Sequence, residues 1–190
     1  MKTTITTEDL TDEELVRNIV KDNNTSLFGV LYDRYATRIY NKCYGFSKSQ
    51  KEAEDLTQDV FLQLFIKLAS FNGKSKFSSW VYSFTYNFCV NYVNRNRERK
   101  IRDASDTIND NDAGVDISVS DNSLYEMKAE KLKRALEIID PEDKKLLLLK
   151  YQDDIPIKEL TQLLQIGESA VKMRLKRAKA RIVEIYKTLD

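Results

Sequence analysis

The sequence predicts an all-α fold: two small helical domains joined by a flexible acidic linker, the second containing a helix-turn-helix. Three observations carry this. Glycine (5) and proline (2) are scarce in 190 residues, which disfavours a turn-rich sheet protein. Apolar residues recur at helical spacing in one segment after another, without the alternation of a half-buried strand. Over 101–123 the composition turns to Asp, Asn and Ser with almost no large apolar side chains, too few to offset the entropy of ordering. The expected division is an N-terminal domain over 8–100, a linker over 101–123 and a C-terminal domain over 124–190.

Thr11-Asp12-Glu13-Glu14 opens the first helix, with Thr11 as N-cap and Glu14 three residues on. Leu15, Ile19 and Val20 then face inward, and 22–25 ends the helix. Phe28, Leu31, Tyr32, Tyr35, Ile39 and Cys43 mark a second, structural helix. Ser49 and Glu52 form another capping box. The helix it opens has Ala53, Leu56, Val60, Leu64 and Leu68 as its buried stripe. Glu54, Asp55, Gln58 and Asp59 form a patch on another face. Carboxylates there favour the helix dipole and solubility. They also suit docking of a basic partner helix.

A Gly- and Lys-bearing loop over 71–76 leads into an aromatic helix. Its apolar stripe is Phe77, Trp80, Val81, Phe84, Phe88 and Tyr92, with Ser79, Tyr82, Ser83, Tyr86 and Asn94 expected on the open face. Arg95, Arg97, Arg99 and Lys100 follow, opposed only by Glu98. Rings beside cations suit single-stranded nucleic acid, since bases stack on rings and phosphates pair with Lys and Arg. A core helix with a solvated basic end is the other reading of the same pattern.

After the linker, 124–139 is amphipathic, and Asp140-Pro141 starts a helix with Pro at its first position. Asp153 and Asp154 break that helix and Pro156 opens the next. Gln165-Ile166-Gly167 forms a short turn before a long basic helix. Two helices across such a turn, the second basic, have the pattern of a helix-turn-helix. Leu160, Leu163, Leu164, Ile166, Val171 and Leu175 suit its inner side. Lys172, Arg174, Lys176, Arg177, Lys179 and Arg181 occur without an intervening acid, which favours DNA binding over a merely solvated helix.

Composition narrows the chemistry. The net charge of +1 names no partner, so the distribution of charge is the informative quantity. With no histidine, the commonest general base and metal ligand are missing. Cys43 and Cys89 lack metal or redox spacing and read as small core residues of a reduced, intracellular protein. The polar first residues contain no signal core, and no run approaches a membrane span. A cytoplasmic protein is expected, with no membrane insertion, catalytic residue, metal or cofactor. A carboxylate-dependent nuclease would need acids on converging elements, whereas Glu54, Asp55 and Asp59 share one helix. A stand-alone DNA-binding regulator would leave the aromatic loop and the acidic patch without a task.

The segments LYDRYATRIY, AEDLTQDVF, FNGKSKFSSWVYSFTYNF, a linker, IDPEDKKLLLLKY and the helix-turn-helix follow one another in this order. In that order they resemble a bacterial RNA polymerase sigma factor of the extracytoplasmic-function group. The resemblance implies a non-enzymatic factor that binds core RNA polymerase and directs it to promoters. It implies Asp55, Gln58 and Asp59 as polymerase contacts. It implies that Phe71 and Asn87 line a pocket for a flipped minus-ten base, that Lys74, Ser75 and Lys76 shape it, and that Trp80 braces the loop. It implies minus-thirty-five readout by Ser169, Lys172, Met173, Lys176 and Arg177, with Arg174 and Lys179 mostly on phosphates. It further implies an anti-sigma factor as partner, and a linker threading a basic channel of the polymerase. Fully extended, about 23 residues would reach on the order of 75 Å, beyond the roughly 34 Å of one DNA turn. Two departures stand out: Gln165 occupies a turn position usually held by Gly, and Gly167 one where a capping Ser is common. Either Gln165 adopts a left-handed conformation or the turn differs. Pro156 likewise replaces a usual hydroxyl cap.

Overall fold

The computed structural model describes residues 10–22, 24–104 and 127–189; every regular element among them is helical. The chain divides into two units, 1–89 and 90–190. The first is built on α1 (Asp12–Asp22), α2 (Thr25–Tyr44), α3 (Gln50–Lys67) with a 3-10 turn Leu68–Ser70, and the start of α4 (Phe77–Ala104), which crosses the division. The second contains α5 (Ala129–Ile138), α6 (Pro141–Leu147) with a π-helical turn Leu148–Gln152, α7 (Ile157–Leu164) and α8 (Glu168–Thr188).

Local chemistry sets most helix starts. The Thr11 amide donates to Glu14 Oε2 (2.8 Å) and the Glu14 amide to Thr11 Oγ1 (3.3 Å), the expected capping box. The Thr11 backbone bond holds the Glu14 carboxyl below the usual range. Asn24 caps α2 by accepting from the Ser26 and Leu27 amides. Ser49 accepts from the Glu52 amide at 3.2 Å, but Glu52 reaches back to the Lys48 amide rather than to that of Ser49. Asp140 accepts from the Glu142 amide at 2.9 Å, with Pro141 as the first helical residue.

In the first unit α1 packs on α2 and α2 on α3. Leu15 and Ile19, Leu31 and Ile39, Leu56, Val60 and Leu64, and Phe77 and Val81 are all buried; each such side chain contributes roughly 1.5–3 kcal/mol. Cys43 and Cys89 are fully buried free thiols whose Sγ atoms lie 3.9 Å apart. Val20 and Tyr32, expected inside, are about half exposed (46% and 45%). Tyr32 instead covers the ring of Phe61, centroids 4.4 Å apart.

In the second unit Ala135 and Ile139, Leu147, and Ala178, Ile182 and Val183 close one core. The break after α6 is a π turn in which the Asp153 amide bonds to the Leu148 carbonyl (3.0 Å), followed by Asp154 at φ 55°. Ile155, 2% exposed, then anchors the chain ahead of α7. Gln165 adopts the left-handed conformation (φ 55°, ψ 38°), which settles the alternative left open by its replacing glycine. The expected linker begins differently from its composition, because α4 runs on through 101–104. The remainder, 105–123, lies outside the described residues, as do 8–9 and 124–126.

Candidate nucleic-acid and partner interfaces

The loop 71–76 is fastened at several points. The Phe71 amide bonds to the Leu68 carbonyl at 3.1 Å, closing the 3-10 turn. Asn72 Oδ1 accepts from the Lys74 amide at 3.1 Å, a side-chain turn that leaves Gly73 at φ +70°. That left-handed value favours glycine at the tip. The Phe71 ring meets Phe77 edge-on (5.2 Å) and lies against Trp80 (5.6 Å). Trp80 in turn stacks between Phe77 and Phe84, with interplanar angles of 27° and 29°. Lys74 and Lys76 are exposed and Ser75 is half-buried, its hydroxyl donating to the Lys76 carbonyl at 3.3 Å. Asn87 is exposed. Trp80, Phe84 and Asn87 fall at i, i+4 and i+7, so they share one face of α4, with Asn87 about 10 Å from Trp80 along the axis. Phe71, packed on Trp80, belongs to that face.

The facing of α4 differs from the sequence expectation. Ser79, Ser83 and Tyr86, expected on the open side, are 6%, 4% and 1% exposed, while Trp80, Phe84 and Phe88 are only half-buried. For Tyr86, packing against α2 is the reason. Lys42 Nζ sits over the Tyr82 and Tyr86 rings (4.0 and 4.8 Å) and donates to the Tyr86 hydroxyl at 3.1 Å. Polar groups supplied with such partners bury at little cost, so hydropathy alone misplaced the helix face.

On α3, Glu54, Asp55, Gln58 and Asp59 are all exposed. The structure adds Leu62 and Ile66 to them, exposed by 64% and 65%. Asp55, Asp59, Leu62 and Ile66 run at i, i+4, i+7 and i+11, one stripe that is acidic at one end and apolar at the other. Sequence reasoning missed the apolar end. The signal was present: both residues fall out of phase with the buried Ala53, Leu56, Val60 and Leu64, and large apolar side chains off the core face mark interaction sites.

Along α8, Val171, Leu175, Ala178 and Ile182 face the core. Ser169, Met173 and Lys176 point the opposite way and are exposed, Met173 by 50%. Lys172 lies on one flank, paired with Glu168 at 2.5 Å, a bond that holds the Glu168 carboxyl below its ordinary range. Lys179, half-buried, shares that flank. Arg174, Arg177 and Arg181 form the other flank and line a cleft with Asp140 and Asp143. Arg181 is bonded to Asp143 at 2.7 Å. Gly167 stands at the N-cap of α8 without a side-chain bond, as does Pro156 at that of α7.

Comparison with known proteins follows the same division. Residues 31–99 match the family model for Sigma-70 region 2 and residues 129–182 that for Sigma-70, region 4. The chain is 26% identical over 175 residues to the ECF RNA polymerase sigma factor SigW of Bacillus subtilis, covering 84% of this chain and 89% of that protein. It is 26% identical over 182 residues to the ECF RNA polymerase sigma-E factor of Haemophilus influenzae, covering 92% and 95%. Among solved structures, the fold is similar to CnrH in complex with the cytosolic domain of CnrY (TM-score 0.60, 18% identity, 94% of this chain and 99% of that one). It is also similar to the sigma factor RpoE in complex with the anti-sigma factor NepR from Bartonella quintana (TM-score 0.58, 18% identity, 86% and 98%).

Proposed function

The chain belongs to the extracytoplasmic-function group of RNA polymerase sigma factors and directs promoter-specific initiation, and on that premise we propose which residues carry each step. The stripe Asp55, Gln58 and Asp59 on α3, extended by Leu62 and Ile66, docks on core polymerase. Its acids meet basic side chains and its two apolar residues are covered on binding. The loop 71–76 and the outer face of α4 capture a base of the minus-ten element. Phe71 and Asn87 line the pocket, Lys74, Ser75 and Lys76 shape its rim, and Trp80 carries the loop. The outward line of α8, Ser169, Met173 and Lys176, with Lys172 and Arg177 at its two edges, reads the minus-thirty-five element, and Arg174 and Lys179 hold phosphates. The working domains of this proposal are 8–100 and 124–190, joined by 101–123, whose first four residues continue α4.

The observation that carries this assignment is the shared face of α4. Phe71 is fastened to Trp80, and Asn87, exposed, stands two turns along the same line beyond a wall of rings. An amide reads a base edge by hydrogen bonding, and a ring stacks on its face.

Magnitudes define the division of labour. Opening about ten base-pair steps costs roughly 14 kcal/mol, while a captured base returns about 1–3 kcal/mol on an aromatic platform. Capture therefore starts a bubble that the polymerase holds open. The sigma-70 family is not an enzyme class, and this reading asks for no catalytic centre, metal or cofactor in the chain. We place the protein in the cytoplasm with core polymerase; none of its described helices is long and apolar enough to cross a membrane. An anti-sigma protein is a further partner in this reading, supported by the sigma factor–anti-sigma complex among its structural neighbours.

Run-off transcription with core polymerase and a promoter library tests the proposal. Discrete start points that depend on both promoter elements are expected. Initiation indifferent to the minus-ten sequence would remove the pocket assignment.

A further inference from the structure

We infer that Glu13 of α1 is a positioning residue for the minus-ten loop, capping α4 from a different helix and so fixing where the loop ends. The inference rests on the proposed role of that loop. Glu13 Oε1 accepts from the Phe77 amide at 3.0 Å across 64 residues of sequence, in a part-buried setting. That amide is the first of α4, one of the four N-terminal N–H groups that a helix cannot satisfy itself. The preceding residue is Lys76, whose side chain only donates and so cannot serve as an N-cap. A carboxylate also suits the positive end of the helix dipole.

The contact closes a circuit. Asp12, next to Glu13, is ion-paired with Arg34 at 2.8 Å and accepts a hydrogen bond from the Tyr35 hydroxyl. The Tyr35 ring packs edge-on against Phe77, 5.7 Å between centroids. Phe77 is fully buried and its ring carries Phe71. Two adjacent acids of α1 thus hold α2 and α4 at the residues that carry the loop. Acids in a first helical turn need no explanation beyond the dipole. Here Glu14 serves the α1 cap, Asp12 reaches α2 and Glu13 reaches α4. Without the Glu13 acceptor the loop keeps its Asn72 turn and Phe71 packing but loses its far anchor. The pocket between Phe71 and Asn87 then loosens.

The test uses full-length E13A, E13Q and E13D with core polymerase, beside Asn87→Ala and Phe71→Ala. Opening is followed by 2-aminopurine fluorescence in the minus-ten element, on the favoured sequence and on single-base variants. E13A is expected to slow opening about ten-fold and to flatten discrimination among minus-ten variants, since a buried N–H is left unpaired. Its affinity for core polymerase should stay within about two-fold of the parent, as for a change remote from that surface. E13Q retains an acceptor at the same reach and should restore discrimination. E13D keeps the charge one methylene short of the amide and should behave like E13A, and it serves in its place if E13A folds poorly. Parent-like discrimination by both E13A and E13D overturns the inference. So does equal failure of E13Q and E13A, which would make charge rather than the acceptor the relevant property. Loss of core affinity and thermal stability in step with opening would make Glu13 merely structural. If Asn87→Ala and Phe71→Ala also leave discrimination intact, the reading of the loop has failed, and the role of Glu13 falls with it.

Discussion

The helices assigned to the two promoter elements begin in opposite ways. The first amide of α4 is held by a carboxylate 64 residues away, and the loop before it is fastened by rings on the same helix. The start of α8 has no side-chain cap, since Gly167 offers none, and it follows a left-handed Gln165. The proposed minus-ten surface is therefore a product of tertiary assembly. The proposed minus-thirty-five surface belongs to one helix and its own side chains, aimed by a local turn and by burial of Val171, Leu175 and Ala178. An assembled pocket fails as a unit when one member is removed, whereas a side-chain array loses its contributions one at a time.

Outside both surfaces, the α3 stripe sets the largest expected effect. Asp55→Lys with Asp59→Lys should weaken association with core polymerase about 100-fold, because like charges across an interface add repulsion to lost attraction. Retained capture of core in a pull-down would remove the docking assignment. Leu62→Asp should act in the same direction.

Asn87→Ala should slow minus-ten opening about ten-fold while polymerase binding is kept, consistent with one lost base contact in an enclosed site. Permanganate footprinting measures it. If the pocket is assembled, the double variant with Phe71→Ala should do little further harm. Full additivity would mean two independent contacts.

At the other surface, Lys172→Ala and Arg177→Ala should each reduce discrimination at the minus-thirty-five element roughly five-fold, at the low end of a single base contact, and together they should multiply. Equal loss of affinity for all sequences, with a shallower salt dependence, would reassign them to phosphate. Arg177 is the sharper case, because it shares a flank and a cleft with Arg174.

The smallest effect belongs to the turn. A non-glycine residue in the left-handed region costs about 1–2 kcal/mol, and glycine there gives back part of this in unfolded-chain entropy. Gln165→Gly should therefore raise stability by about 0.5 kcal/mol, read as a higher urea midpoint, with little change in promoter selectivity. A marked loss of selectivity would show that the turn's rigidity aims α8, and the contrast between the two surfaces would narrow.

What was legible in the chain was local. The capping pairs at Thr11 and Glu14, and at Asp140 and Pro141, lie within one helical turn, where spacing alone decides who meets whom. The stripe Ala53, Leu56, Val60, Leu64 and Leu68 was readable because 3.6 residues per turn puts those positions on one side. The inner side of the second unit followed in the same way from Leu160, Val171 and Leu175. The side on which α4 packs was decided only by the tertiary structure: Ser79, Ser83 and Tyr86 are core residues, and Lys42 of α2 supplies the partner of Tyr86. The meeting of Cys43 and Cys89 and the grip of Glu13 on Phe77 were decided in the same way, whereas the exposure of Leu62 and Ile66 was already legible from their being out of phase with the buried α3 stripe. Spacing within a helix is a property of the backbone, but a partner 46 or 64 residues away is chosen by how helices settle against one another. No pattern in either segment encodes that choice.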